Sequence, residues 1–96
     1  MDIRVLQYFL MVAKAESITK AAELLNMTQP PLSRQMRELE EELGKQLLIR
    51  GSKKITLTED GILLRKRAEE LVSLMEKTRS EIMSSDENIN GDVYIG

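Results

Sequence analysis

Gln29, Ser33, Arg34 and Arg37 are the side chains of this sequence best suited to recognising another molecule. The guanidiniums of Arg34 and Arg37 each present a planar fork of donors that matches the O6/N7 edge of guanine or a phosphate, while Gln29 and Ser33 reach adenine edges or backbone oxygens. At about 100° per residue, Pro30, Ser33, Arg34 and Arg37 share one arc of a helix, and Leu32, Met36, Leu39 and Leu43 share the opposite one. The helix therefore has a core face and a displayed basic face. Spacing leaves open which of these residues touch bases, and an ordinary amphipathic helix with a solvated face has the same pattern. A second basic group, Arg50, Lys53 and Lys54, falls at a predicted hairpin tip, where the three charges together could straddle a phosphate backbone, although a surface lysine taken singly needs no explanation. The chain has no Cys and no His, so disulfides, Cys/His zinc sites, Ser-His triads and thiol nucleophiles are excluded, and no cofactor is expected. With no paired carboxylates in a predicted cleft either, an enzyme is the least supported reading.

The elements that must position these residues are legible from caps and periodicity. Thr28 can cap the displayed helix and lies beside its DNA-facing candidates, and Pro30 and Pro31 suit a first turn whose N–H groups lack intrahelical partners. The run Glu40, Glu41, Glu42 makes the far end acidic and repulsive to phosphate, so contact belongs to the N-terminal half. Ahead of it, Ile18, Ala21, Ala22 and Leu25 form the stripe of a short helix capped by Ser17 or Thr19 and ended by Asn26, whose side chain tolerates a left-handed turn. Ile3, Leu6, Leu10 and Ala13 mark a first helix over residues 2–14. After Gly44, residues 47–50, 51–54 and 55–58 read as strand, polar turn and strand, a hairpin too small to stand without packing on helices. Two helices joined by a short turn, the second basic outside, match a helix-turn-helix that lays its second helix in a major groove.

Composition sets the limits. The 96 residues are 42% hydrophobic with only three aromatics, enough for one small head whose core is aliphatic and mainly helical. The net charge of −2 argues by itself against nucleic acid, but residues 1–57 carry nine Lys/Arg against seven Asp/Glu and residues 58–96 five against nine, so the basic charge is concentrated in the head. Residues 5–15 resemble a signal sequence superficially; Asp2, Gln7 and the helical spacing favour a core helix, and no stretch reaches the roughly 20 apolar residues of a bilayer span.

From a cap at Thr58 no proline interrupts the chain until about Ser85, which predicts a long last helix. Leu64, Ala68, Leu71, Met75, Thr78 and Ile82 alternate at spacings of 4 and 3, the seam of a coiled coil, and predict a homodimer interface, although the stripe could instead fold back on its own head. Residues 84–91 have linker composition and residues 92–96 read as an opening strand with nothing here to pair with, which predicts a chain cut from a longer protein. The expected architecture is thus mostly α: a winged helix-turn-helix of three helices plus a small β-hairpin over 1–58, a dimerisation helix over 59–85, and a hinge into a missing domain over 86–96. A protein-interaction module built on the coiled coil alone, with its basic face merely solvated, is the competing reading; neutralising Lys53 and Lys54 would then change nothing.

The series Ser17-Ile18-Thr19-Lys20-Ala21-Ala22-Glu23-Leu24-Leu25, Thr28-Gln29-Pro30-Pro31-Leu32-Ser33-Arg34-Gln35-Met36, Leu39-Glu40-Glu41-Glu42-Leu43-Gly44, Leu47-Leu48-Ile49-Arg50 and Leu57-Thr58-Glu59-Asp60-Gly61 resembles the LysR-type transcriptional regulators. The resemblance runs nearly continuously to about residue 61, and departs from the family's usual Phe at Ile18 and Leu48, both still apolar. It implies a cytoplasmic bacterial regulator that binds double-stranded operator DNA, with linker helices that pair, commonly antiparallel, and a missing C-terminal domain that binds a small-molecule inducer. Higher oligomers are open in the full-length protein. By position, Gln29, Pro30, Ser33 and Arg34 would face the groove, and Arg50, Lys53 and Lys54 the phosphates; Arg37 comes from helix geometry alone.

Overall fold

The computed structural model describes the backbone of residues 1–92 and the side chains of residues 1–84. Three helices, α1 (Ile3–Ala15), α2 (Ile18–Leu24) and α3 (Gln29–Leu43), are followed by strands β1 (Leu48–Arg50) and β2 (Ile55–Leu57) and a long helix α4 (Glu59–Asp92). The caps follow local chemistry. The Asp2 carboxylate accepts from the Val5 N–H at 2.9 Å and the Ser17 hydroxyl from the Lys20 N–H at 3.0 Å, satisfying donors that lack an intrahelical partner. Gly44 ends α3 at φ +67°, and Asn26 takes the left-handed conformation expected of it, at φ +57°. Glu16, a position with no such sequence signal, is left-handed too, at φ +56°.

The core is one cluster in which Phe9 and Val12 of α1, Ile18, Ala21 and Ala22 of α2, and Leu32, Met36 and Leu39 of α3 meet Leu47, Leu48 and Ile55 of the hairpin. Burying each of the larger side chains is worth roughly 1.5–3 kcal/mol before the entropy of ordering it is counted. In α1 the buried residues are Leu6, Phe9 and Val12, whereas Leu10 and Ala13 of the expected stripe are half-buried, because α1 is covered on two sides: Leu10, Ala13 and Lys14 face Arg65 and Glu69 of α4. In α3, Leu32, Met36 and Leu39 are at most 2% exposed, but Leu43 is 37% exposed, since it is the last helical residue and projects past the core.

β1 and β2 pair antiparallel with Leu48 opposite Leu57 and Arg50 opposite Ile55, so Leu48 and Ile55 face the core and Ile49 faces out. The Ile55 N–H fastens the hairpin to the head by donating to the Glu16 carbonyl, and Thr58 closes its base, its N–H donating to the Leu47 carbonyl and its hydroxyl to the Gln46 carbonyl at 2.6 Å. The same hydroxyl accepts from Gly61 N–H at 3.0 Å and so caps α4.

α4 continues to Asp92, beyond the end expected at Ser85, and the linker expected over residues 84–91 is helical. Ser, Asp, Glu and Asn cost a helix only tenths of a kcal/mol each, and no proline intervenes, so polar composition alone does not stop the helix. The strand expected over residues 92–96 begins on helical Asp92 and otherwise lies outside the described residues. At 1.5 Å per residue, α4 is about 50 Å long. Among the described residues no helix is long and apolar enough to cross a membrane.

Candidate nucleic-acid interface

Thr28 is extended and precedes α3 without a side-chain capping bond, and Pro30 and Pro31 bring no N–H to the first turn, so this end of the helix is satisfied with few partners. Thr28, Gln29, Pro30, Arg34 and Arg37 are exposed, and Ser33 is half-buried. The Arg37 guanidinium donates to the Ser33 hydroxyl one turn back at 3.2 Å, which draws its charge toward the N-terminal half and away from the glutamates.

A groove separates α3 from the hairpin. Gln29, Ser33 and Arg37 line its helix wall, Arg50, Lys53 and Lys54 the hairpin wall, and Glu16, Ser17 and Ile18 its floor. Two sets of residues distant in the chain are thereby joined into one basic trough beside the displayed helix. Thr28, Pro30 and Arg34 lie outside it, on the open side of the helix. One acidic group moderates the trough: Glu16 Oε2 is 3.6 Å from Lys54 Nζ, both side chains being about half exposed, so the pair is worth little and Lys54 is easily drawn to another anion.

Glu40 is the residue whose part the sequence did not reveal. Its Oε2 accepts from the Leu47 N–H at 2.7 Å and the Leu48 N–H at 3.0 Å, and its Oε1 lies 3.8 Å from Arg50 Nη1. In the sequence it is one of three consecutive glutamates; only the tertiary approach of β1 to the end of α3 distinguishes it from Glu41 and Glu42, which are exposed.

The heptad positions of α4 divide. Ala68 is fully buried where α4 packs on α1 and Leu64 packs against the head's core, so these two serve the monomer itself, while Met75 is half-buried and Leu71, Thr78 and Ile82 are exposed. A straight helix of 3.6 residues per turn drifts by about 20° per heptad, so a stripe that begins on the head does not stay on one side of it. Leu63 and Leu74, outside the heptad pattern, are 53% and 59% exposed, Leu74 lying one turn on from Leu71.

Three packed helices with a basic second helix of the turn, a hairpin against that helix and a long helix leaving the head define a winged helix-turn-helix protein. A family profile described as bacterial regulatory helix-turn-helix protein, lysR family, matches residues 3–62, and the chain belongs to that family. It is 44% identical over 97 residues to the HTH-type transcriptional regulator BsdA of Bacillus subtilis (strain 168), covering 100% of this chain and 33% of BsdA. Its fold superimposes with a TM-score of 0.85 on the BenM DNA-binding domain in the crystal structure of the BenM_DBD/catB site 1 DNA complex, at 44% identity, over 88% of this chain and 93% of that one. Full-length CbnR complexed with its target DNA is similar at a TM-score of 0.82 and 36% identity, over 88% of this chain and 29% of that one. The chain thus spans about a third of the length of the full-length regulators it matches.

Proposed function

We propose that this chain is the DNA-binding part of a LysR-type transcriptional regulator, which binds double-stranded operator DNA as a homodimer with α3 in the major groove and the wing on the phosphate backbone. The observation that carries this is the convergence of Gln29 and Arg37 on α3 with Arg50, Lys53 and Lys54 on the wing around one trough, beside an open helix face bearing Thr28, Pro30 and Arg34. A recognition helix fits the major groove of B-DNA, and cations flanking it neutralise the adjoining phosphates. Its work is recognition, not a reaction, and its place is the cytoplasm of a bacterium. The family resemblance supports a further domain in the whole protein that binds a small-molecule inducer.

The trough is tested by salt. Each phosphate contact contributes about 0.9 to the slope of log K against log salt, so Lys53→Ala with Lys54→Ala reduces that slope by between about 1 and 2 in mobility-shift titrations across a salt series. The melting temperature stays where it was, because both lysines are exposed and their one ion pair is weak. A slope identical to that of the unsubstituted chain would take the wing off the backbone.

We assign pairing to the exposed part of the heptad stripe on α4, Leu71, Thr78 and Ile82 with the half-buried Met75, joined by Leu63 and Leu74, while Leu64 and Ala68 pack within the monomer. Leu74→Glu then yields folded monomers in analytical ultracentrifugation, whereas Ala68→Glu, which buries a charge against α1, unfolds the head. Dimers that persist through Leu74→Glu would place the partner on another face.

A further inference from the structure

We propose that Glu40 is a positioning residue that presents Arg50 to a DNA phosphate and fixes the wing's register against the recognition helix; this rests on the DNA-binding reading above. The carboxylate is held from behind. It accepts two backbone N–H groups at the start of β1, Leu47 at 2.7 Å and Leu48 at 3.0 Å, through one oxygen, and its other oxygen is left facing Arg50 Nη1 at 3.8 Å. Glu40 is only 15% exposed, whereas Arg50 is 40% exposed. At that separation the guanidinium is attracted without being clamped by a hydrogen bond, and the rest of its five-donor fork is available to a phosphate.

The arrangement has a mechanical consequence. Strands β1 and β2 pair at only three positions, and the hairpin is otherwise held by its buried Leu47, Leu48 and Ile55 and by the Ile55 N–H on the Glu16 carbonyl, none of which ties it by a hydrogen bond to α3. Glu40 ties the N–H groups of Leu47, just before β1, and Leu48, its first residue, to the last turn of α3, and Gln46 Nε2 donates to the Leu48 carbonyl at 3.0 Å on the same segment. Wing and recognition helix therefore move as one piece, and Arg50 leaves that piece at a set distance from Ser33 and Arg37 across the trough. A carboxylate beside a phosphate contact would ordinarily be repulsive. Here its charge is taken up by the two N–H groups and the guanidinium, and what faces the duplex is the cation.

Two substitutions separate positioning from mere stability. Glu40→Gln keeps a carbonyl oxygen for the two N–H groups and puts a neutral NH2 in place of the charged oxygen behind Arg50; Glu40→Ala removes both groups. The probe is a duplex enriched by the unsubstituted chain from a randomised pool, titrated by mobility shift over a salt series. For Glu40→Gln we expect an unchanged melting temperature, a slope of log K against log salt reduced by about 1, and no further reduction in an Arg50→Ala background. Glu40→Ala, if folded, loses more of the slope because Lys53 and Lys54 fall out of register with it. A Glu40→Gln slope equal to or steeper than the original would overturn the assignment, the steeper result meaning that Glu40 restrains Arg50 instead of presenting it. Failure of the unsubstituted chain to enrich any duplex would instead sink the DNA-binding reading, so the two failures are distinguishable.

Discussion

Arg34→Ala weakens binding to the preferred duplex by about 1–3 kcal/mol, roughly fivefold to 150-fold in Kd, and weakens binding to random duplex far less. The side chain is exposed on the open side of α3 and, among the described residues, has no hydrogen-bond or ion-pair partner. It contributes little to the fold, so the melting temperature is unaffected and the whole effect falls on recognition. Arg34→Lys does not restore specific binding, because an ammonium cannot make the paired contact of a guanidinium with a guanine edge. Competition titrations against specific and random duplex measure both effects. Equal losses for the two would reassign Arg34 from base reading to backbone contact.

Gly61→Ala lowers the stability of the head by about 3 kcal/mol or more, and the melting temperature by more than about 10 °C. A Cβ at this position would sit 2.2 Å from the Leu47 carbonyl oxygen and 3.2 Å from Leu57 Cβ. The carbonyl has no room to retreat. Its peptide is fastened on both sides, the Leu48 N–H by Glu40 at 3.0 Å and the carbonyl by Thr58 N–H at 3.0 Å, so α4 or β1 must shift as a unit. Gly44→Ala is the matched control: φ is +67° but the added Cβ meets nothing within 4 Å, so the cost is only the left-handed backbone, about 1 kcal/mol. Circular-dichroism melts of the two variants give the comparison, and similar losses for both would mean that α4 does not seat on Leu47.

The helices and the displayed arginines were legible from sequence because their determinants are local. Ser17, Asn26, the Pro30-Pro31 pair and Gly44 each mark an element boundary by their own backbone or side-chain chemistry, and Leu32, Met36 and Leu39 repeat at helical spacing, so Arg34 and Arg37 had to face away. What was not legible depends on how elements meet. Glu40 differs from its neighbours only through the approach of β1, and Ala68 continues the same stripe as Leu71 but is covered by α1. The end of α4 was missed for a different reason: polar residues over 84–91 suit a linker, yet without a proline they also suit the continuation of a helix already under way. The trough itself needs the hairpin folded onto α3, which periodicity of either segment alone does not contain.

Enrichment of duplexes from a randomised pool by the chain, read by sequencing and followed by mobility shift, tests whether α3 reads DNA. The expected result is a pair of two-fold-related half-sites separated by about one helical turn or a multiple of it, with enrichment abolished by Arg34→Ala combined with Arg37→Ala. A pool that stays random through successive rounds, or one enriched equally by the doubly substituted chain, would contradict the role assigned to that helix.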